Sequence, residues 1–528
     1  MEFIRNMRKR IAPQKALKRE NELKKLEIER KQLETRNQIL DIINSGYGNH
    51  AGSHRSTATV SWDDSGGSAD EDIHDNLFTL RNRSRDLFMG SPIATGALKS
   101  MRTNVVGAGL RLKSQVDHTF LGITREDARE LENHIEREFA IWAESQQCDL
   151  ARFDNFYELQ QLAFLSWLMS GDVVATLPVT TRKNVIYDLR INLIEADRVS
   201  TPYDKELLDS LISGGVEYNA QGEVVAYHIS DKHPQSRRSY SEMKWTRVEA
   251  FGAKTGRRNL IHLMNRERIG QRRGVPFLSP VIESLKQLER YTEAELMAAV
   301  ISGMLTVFLE KDGAKDGSLF AKNDDVEEND DSGDNFLQLA PGAILELGEG
   351  EKANVVNPGR PNTAFEGFVD AIIKQVGTAL EIPSEVLTKH FTSSYSASRG
   401  ALLEAYKSFR MYRTWMANDF CQPIFEEWFA EAVAKERINA PGFFSDPAIF
   451  RAYTGAEWNG PAQGLLNPVQ EVNAAEARVK NGFSTRDREA TEMNGSSFQR
   501  NAEQLKHEAQ IMKEVNGNVQ ETKQEETN

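Results

Sequence analysis

Residue types able to do chemistry are scattered through this chain, and few of them fall at spacings that chemistry uses. His228 and His233 lie five apart beside a predicted strand, a separation that can reach one metal ion, but no Cys or carboxylate signature completes a ligand set. Hydrogen-bonded or surface histidines are the better reading there, as for His50 and His54 in a polar loop. Glu328, Asp330, Ser332 and Gly333 begin like a calcium loop, yet the position where a bidentate Glu belongs is Leu339. Gly252-Ala253-Lys254-Thr255-Gly256 has the letters of a phosphate loop at the wrong spacing, and Gly107-Ala108-Gly109 stops short of a dinucleotide fingerprint because position 112 is Leu. Neither a His-Glu-x-x-His helix nor a Gly-x-Ser-x-Gly elbow occurs. No catalytic residue, metal ligand or cofactor is therefore assigned, and the chain is not expected to be an enzyme. A nuclease built on the carboxylates of 310–334 would need them converged on rigid elements, the reverse of an acidic loop.

Composition narrows the alternatives. The 528 residues hold about three or four packed units by the usual domain size. A net charge of −13 argues against a protein that coats nucleic acid by neutralising phosphates, though not against one that lets nucleic acid pass. With only Cys148 and Cys421 there is no disulfide framework; both read as buried small apolar residues in a chain made in a reducing, cytosolic place. The start, Met1-Glu2-Phe3-Ile4-Arg5, lacks the apolar stretch of a signal peptide. The most apolar run, Leu296–Leu309, is 14 residues, short of the ~20 that span a bilayer, so no membrane partner is expected.

The elements that position any site must be mostly helices. Residues 1–40 carry twelve Lys/Arg against six Asp/Glu, with leucines at helical spacing over 14–40, a solvated helix or a basic arm. A polar loop over 44–72 precedes helices over Ile73–Met89 and through Met101. Thr124 with Asp127 resembles a capping box before the stripe Ala128, Leu131, Ile135, Phe139, Trp142. Phe156–Met169, apolar almost all round, predicts burial on several sides. Strands are predicted at Val173–Pro178, across the alternation Tyr187, Leu189, Ile191, Leu193, at Val216–Tyr218 and Val224–Ile229 flanking a turn, and at Leu260–Met264, making a mixed α+β unit.

The C-terminal half reads as rods joined by loops. A helix over Pro280–Val307 leads into 310–334, with ten acidic and three basic residues, and then into short strands at Phe336–Leu347 and Val355–Val356. The stripe Phe365, Phe368, Val369, Ile372, Ile373, Val376, Ala379, Leu380 is a helix stopped by Pro383. After a polar loop, Lys389–Ser398, one long helix carries Leu402, Leu403, Tyr406, Phe409, Tyr412, Trp415, Phe420, Phe425, Trp428 and Phe429. Helical spacing makes these rings a core rather than a base-stacking platform. Pro423, inside the run, predicts a kink. Residues 501–528 read as a polar tail. An elongated helical scaffolding or adaptor protein, working through 14–40 and this tail, is the alternative to a channel.

Five motifs in order carry a resemblance. Arg83-Ser84-Arg85-Asp86-Leu87 through Asn104-Val105-Val106-Gly107-Ala108-Gly109, then Gly270-Gln271-Arg272-Arg273-Gly274-Val275-Pro276, Glu381-Ile382-Pro383, Tyr395-Ser396-Ala397-Ser398-Arg399 and Trp458-Asn459-Gly460-Pro461 resemble those of lambda-type phage portal proteins. The likeness covers about residues 75–500.

That resemblance implies an α+β, helix-rich portal fold in which subunits form a homo-dodecamer at one capsid vertex, the channel for double-stranded DNA in packaging and ejection. It implies a wing over 73–276, following the arm and linker 1–72, and stem helices over 277–308 and 363–388. A clip over 309–362, a tunnel loop over 389–398, a long kinked helix over 399–436, a crown over 437–500 and the tail 501–528 complete it. Lys389, His390 and Arg399 bound the tunnel loop and are the DNA-contact candidates. Asp324, Asp325, Glu327 and Glu328 are the docking candidates at the clip. The implied partners are the terminase large subunit, which supplies ATP hydrolysis, then head-completion and tail adaptor proteins, with the major capsid and scaffold proteins around the ring. The implied place is the virion, after assembly in the host cytoplasm. Twelve copies of a −13 chain would carry about −156 charges, which suits a strand that must slide.

Overall fold

The computed structural model describes residues 18, 21–36, 65–203, 211–236, 242–304, 308–311, 351–354, 364–391, 394–462, 468–496 and 498–525. The chain divides into two compact units, Met1–Gly67 and Ser68–Asn528. In the first, 21–36 is a helix with every position exposed, including Leu23, Leu26, Ile28 and Leu33.

In the second, helix α1 (Ala69–Gly90) begins four residues earlier than the apolar pattern indicates. Ser68 and Glu71 close a reciprocal capping box, Ser68 N–H donating to the Glu71 carboxylate at 2.8 Å. Helix α2 (Pro92–Val105) follows. Strand β1 (Arg111–Ser114) and helix α3 (Arg125–Ala143) come next; Thr124 caps α3 by accepting from Asp127 N–H and donating to its carboxylate at 2.8 Å. Helix α4 (Phe156–Ser170) opens on a second box, Asn155 with Glu158, and is buried along most of its girth, with Glu158 and Leu162 exposed.

The sheets are small and antiparallel, as an α+β chain requires. Strand β2 (Asp172–Thr176) lies between β3 (Asn192–Ile194) and β8 (Leu260–Met264); β4 (Ile212–Ser213), β5 (Val216–Tyr218), β6 (Val224–Ser230) and β7 (Trp245–Glu249) form a meander. The predicted strand through Tyr187–Leu193 is a correction: only Asn192–Ile194 joins a ladder. Arg190, expected outside, is fully buried, its Nη1 donating to the carbonyls of Tyr187 and Leu189 at 2.7 and 2.8 Å.

A short 3₁₀ turn, Ser279–Val281, starts helix α5 (Ile282–Met304). Strand β9 (Phe308–Lys311) pairs antiparallel with β10 (Glu351–Asn354), Phe308 opposite Asn354, so the excursion between them returns to where it left. The strands predicted at 336–347 and 355–356 lie outside the described residues. Helices α6 (Phe365–Ala379) and α7 (Ser384–Thr388) precede α8 (Tyr395–Met416), which runs through a π turn, Ala417–Cys421, into α9 (Gln422–Ala434). The kink expected at Pro423 is thus a widened turn just ahead of it: a missing N–H at 423 forbids the regular bond, and Gln422 N–H reaches five residues back to Ala417. Helix α10 (Pro447–Tyr453), strand β11 (Ala456–Asn459) paired with β1, and helices α11 (Pro468–Lys480), α12 (Arg486–Asn494) and α13 (Phe498–Glu525) end the chain. The expected polar tail is helical.

The core is aromatic. Phe139 sits 5.0 Å from Trp428 and 5.6 Å from Phe425, both edge-on, with Phe156 at 5.7 Å. Phe420, Phe425, Trp428 and Phe429 are fully buried, so the rings of the long helix are packing. Cys148 and Cys421 are buried too, and burial pushes the Cys148 thiol up to about 12. Among the described residues no helix is long and apolar enough to cross a membrane.

Candidate nucleic-acid interface

The exposed basic pair Lys389 and His390 is held out by a tightly built elbow. Helix α6 ends where Gly377 meets the returning chain: a Cβ there would stand 2.5 Å from the Ile382 carbonyl oxygen, so only glycine fits. Ile382 N–H donates back to Gly377 O at 2.9 Å, Glu381 takes φ +54°, and Pro383 fixes the entry to α7. Val386 and Leu387 of that single turn are buried, which pins it. Lys389 then adopts φ +57° and closes the turn, with its N–H and that of His390 both directed at Glu385 O. Lys389, His390 and Phe391 are left exposed, Phe391 by 48%.

Arg399 is not beside them in the same way. The long helix begins at Tyr395, capped by Ser394, whose hydroxyl accepts from Ala397 N–H at 3.4 Å, so the loop is shorter than predicted and Arg399 sits inside the helix. Half-buried, it lines a groove of ≈ 870 Å³ with Val386, Leu402 and Tyr406 on one wall and Arg478, Glu489 and Glu492 on the other. Asp324, Asp325, Glu327 and Glu328 lie outside the described residues.

Two joints fix how remote segments of the subunit meet. At one, Arg413 of α8 donates to the carbonyls of Asn104, Val105 and Pro461 at 2.9, 3.1 and 2.9 Å, and the Tyr406 hydroxyl donates to Pro461 O at 2.8 Å. A Cβ on Gly460 would lie 2.6 Å from Arg413 Nε, and one on Gly107 2.9 Å from the Pro461 ring. Two of the five sequence motifs therefore serve to seat the long helix.

The other joint is ionic. Asp172, fully buried, accepts from Arg81 at 2.8 Å, Arg273 at 2.7 and 3.2 Å, His262 at 3.2 Å and Gly274 N–H at 3.1 Å. Burial alone would raise this carboxyl; the Arg273 and Arg81 guanidinium groups and the His262 bond overcome it and hold it well below the usual range. The same burial lowers Arg81 to about 10, still charged at neutral pH. Arg273 also donates to Ala196 O and Val199 O, each at 2.6 Å. Beside it the chain crosses itself: a Cβ on Gly274 would be 1.9 Å from Gly171 O. The motif Gly270 to Pro276 thus ties α1, the β2 sheet and the start of the α5 segment together.

His228 and His233 do not converge. His228 bonds Glu217 at 3.0 Å, while His233 faces Asp197 at 3.4 Å and Glu195 at 4.0 Å. Asp197 is already paired with Arg81 and Arg85, so a cation at this trio would compete with two guanidinium groups. Sequence reading missed the Asp172 network; its one signal was an Asp directly after a glycine at the head of an apolar strand, the type of residue that a core accepts only when paired.

Similarity to known proteins follows the same span. A family model described as phage portal protein, lambda family, matches residues 55–413. The chain is 22% identical over 461 residues to Portal protein B of Escherichia phage lambda, covering 83% of this chain and 85% of that one. It is 22% identical over 460 residues to the Portal protein of Escherichia phage N15, with the same coverage. Among solved structures, a chain of the neck of a native gene transfer agent particle aligns over 79% of this chain and 92% of its own, at 11% identity and a TM-score of 0.42.

Proposed function

The chain belongs to the lambda family of phage portal proteins, and from that premise we propose that about twelve copies close by one repeated heterologous interface into a ring at a capsid vertex. The ring is the channel through which double-stranded DNA enters during packaging and leaves at ejection, and the platform on which terminase docks first and head-tail adaptor proteins later. The family match over 55–413 carries this reading. The subunit's own part is structural, with ATP hydrolysis supplied by the terminase; the ring assembles in the host cytoplasm and ends in the virion.

Several features support an assignment of parts. Residues 73–276, with their small antiparallel sheets, serve as the wing. Helices α5 and α6 serve as the stem, joined through Tyr291, whose ring lies 5.6 Å from Phe365 and 5.0 Å from Phe368. The pairing of β9 with β10 brings together the two flanks of the 309–362 segment, which supports reading that segment as the clip. Its acidic residues Asp324, Asp325, Glu327 and Glu328 are the docking surface for terminase and adaptor.

The elbow at Lys389 and His390 is the tunnel loop, with Arg399 at its root. A net −13 subunit repels the phosphate backbone, so a few exposed basic groups guide the duplex without holding it. Native mass spectrometry and negative-stain images of the purified protein test the proposal. A ring of about twelve subunits with an axial hole is expected; a monomer or compact dimer under conditions that favour assembly overturns it.

A further inference from the structure

Two surface features at opposite ends of helix α4 match one another. At the N-terminal end, the loop before Asn155 presents Phe153 to solvent, 77% exposed, and is built to hold it there. The buried Asp149 carboxylate accepts from the N–H groups of Ala151 and Phe153 at 3.1 and 2.8 Å, and Arg182 clamps the carbonyls of Asp149 and Leu150 at 3.1 and 2.8 Å. The Gln146 amide donates to Phe153 O at 2.9 Å. Among these bonds Arg152 takes φ +63°, a conformation that an arginine keeps only where its surroundings impose it. A large ring held in water this way has lost its backbone freedom before any partner arrives, which is how a contact anchor gains affinity.

At the other end of α4 lies a socket. Arg81 donates to the carbonyl of Ser170, the last residue of the helix, at 2.8 Å, and the same Arg81 lines a pocket of ≈ 190 Å³ between α1 and β7. Aromatic side chains wall it: Phe78 is 51% exposed and Tyr203 68%, with the Tyr203 ring 4.9 Å from that of Trp245. The charged groups that line it, Arg81, Asp197 and Arg273, are ion-paired within the subunit, so an apolar ring entering there takes no partner from them. An apolar cavity of about 150 Å³ holds one benzene, and this one admits a phenylalanine ring. The charges around the two features are opposite in sign. Arg152 precedes the ring and Lys183 follows the clamping Arg182, whereas Asp75 and Glu242 adjoin the pocket residues His74 and Met243. All four are exposed, and none is in an ion pair among the described residues.

Helix α4 has 15 residues and is therefore about 22 Å long, which keeps the ring and the pocket of one subunit apart. A surface complementary to a different surface of the same molecule makes a heterologous contact, and such a contact repeats from copy to copy around an axis. We propose that the Phe153 ring of one copy enters the pocket between α1 and β7 of the next, with Arg152 and Lys183 against Asp75 and Glu242. This names a contact that the ring reading leaves unspecified, and it rests on that reading only for the closure of the series.

Cross-linking of the assembled full chain with a short bismaleimide tests it, since Cys148 and Cys421 are buried and leave the background low. Ala151→Cys and Asp75→Cys change neither the ring nor the pocket wall, and both positions are exposed. A chain carrying both is expected to give a ladder of dimer, trimer and higher species on a denaturing gel, while either cysteine alone gives monomer, because the contact joins unlike surfaces. Adding Phe153→Ala should slow the ladder at least about tenfold, with unfolding unchanged because Phe153 is exposed. A ladder indifferent to Phe153→Ala, or dimers from a single cysteine, overturns the proposal. Images of the same samples separate the two readings: rings of the double-cysteine chain without a ladder sink this inference alone, whereas absence of rings in the wild-type chain sinks the proposed function.

Discussion

Asp172 and Lys389 stand at opposite extremes of how this subunit handles charge. Asp172 has no exposed surface and five donors around it, drawn from α1, β8 and the Arg273 segment. Lys389 is exposed on a single left-handed residue, and its backbone, not its side chain, is what the fold uses. The first arrangement spends desolvation free energy to fix how segments remote in sequence meet; the second keeps a charge available to something outside the subunit. A buried ion network is weak evidence for stability in itself, but removing one member of it is costly, because the rest stay buried and unpaired.

The largest expected effect therefore falls at the joint. Asp172→Asn keeps the shape and removes the charge, leaving the buried Arg273 guanidinium without its counter-ion and Arg81 with only Asp197, at 3.4 Å. Urea unfolding should show a loss of about 3–5 kcal/mol. A loss under about 1 kcal/mol would mean that water relieves the two arginines, and the contrast with the loop would fail. Next comes Gly274→Ala. Its Cβ meets the Gly171 carbonyl at 1.9 Å, backbone against backbone, so the crossing must open; about 1–3 kcal/mol is expected, with Gly171 and Gly274 coupled in a double-mutant cycle.

These two positions also mark what was legible in the sequence. Helices with a full apolar stripe were readable, as were the strands at 216–218 and 260–264, because periodicity reports burial on one face. The helix start at Phe156 was readable because its apolar pattern begins at the first helical residue, whereas the start after Ser68 was overlooked despite its capping-box spacing, since there the apolar pattern begins four residues later. Arg190 and Asp172 were unreadable as core: alternation marks a charged residue as outward, and only tertiary partners make its burial tolerable. The motifs of 270–276 and 458–461 pointed to the family, while their physical role, close backbone crossings and carbonyl clamps, depends on distant chain segments, Gly274 meeting Asp172 at a separation of 102 residues and Pro461 meeting Arg413 at 48. Of the candidate contact residues, Lys389 and His390 are exposed at the loop's start, and Arg399, expected as the first residue of the long helix, lies about a turn inside it because Ser394 caps earlier than the pattern suggests.

A smaller, pH-dependent effect sharpens the comparison at a site of intermediate exposure. Glu217 is bonded by Arg247 at 2.8 and 2.9 Å and by His228 at 3.0 Å. The Arg247 bonds, against some burial and with help from His228, lower its carboxyl from 4.5 to about 2. A depressed folded value means that the stabilisation is complete above the unfolded value, and is lost as pH falls from there through the folded one. Because the pair is partly in water, Glu217→Gln should cost only about 1 kcal/mol at neutral pH. That difference, followed by urea unfolding, should shrink as pH drops from about 5 toward 3. A constant difference across this window would assign the cost to packing.

The smallest effect on stability, and the most direct on function, is expected at the elbow. Asparagine tolerates the left-handed conformation that residue 389 adopts, so Lys389→Asn with His390→Gln removes the charges while keeping the backbone turn and its bonds to Glu385 O. Stability should change by no more than about 0.5 kcal/mol, since neither side chain is buried. If the pair guides the duplex, particles carrying the double variant should form normal rings and package several-fold less DNA, with the deficit shrinking as salt is raised, because salt screens the attraction that the wild-type pair supplies. Lys389→Arg, which keeps the charge, should restore packaging. Normal DNA content in the double variant would show that exposure on this loop is not contact, and would leave Arg399, in its groove at the root of the long helix, as the basic residue to examine.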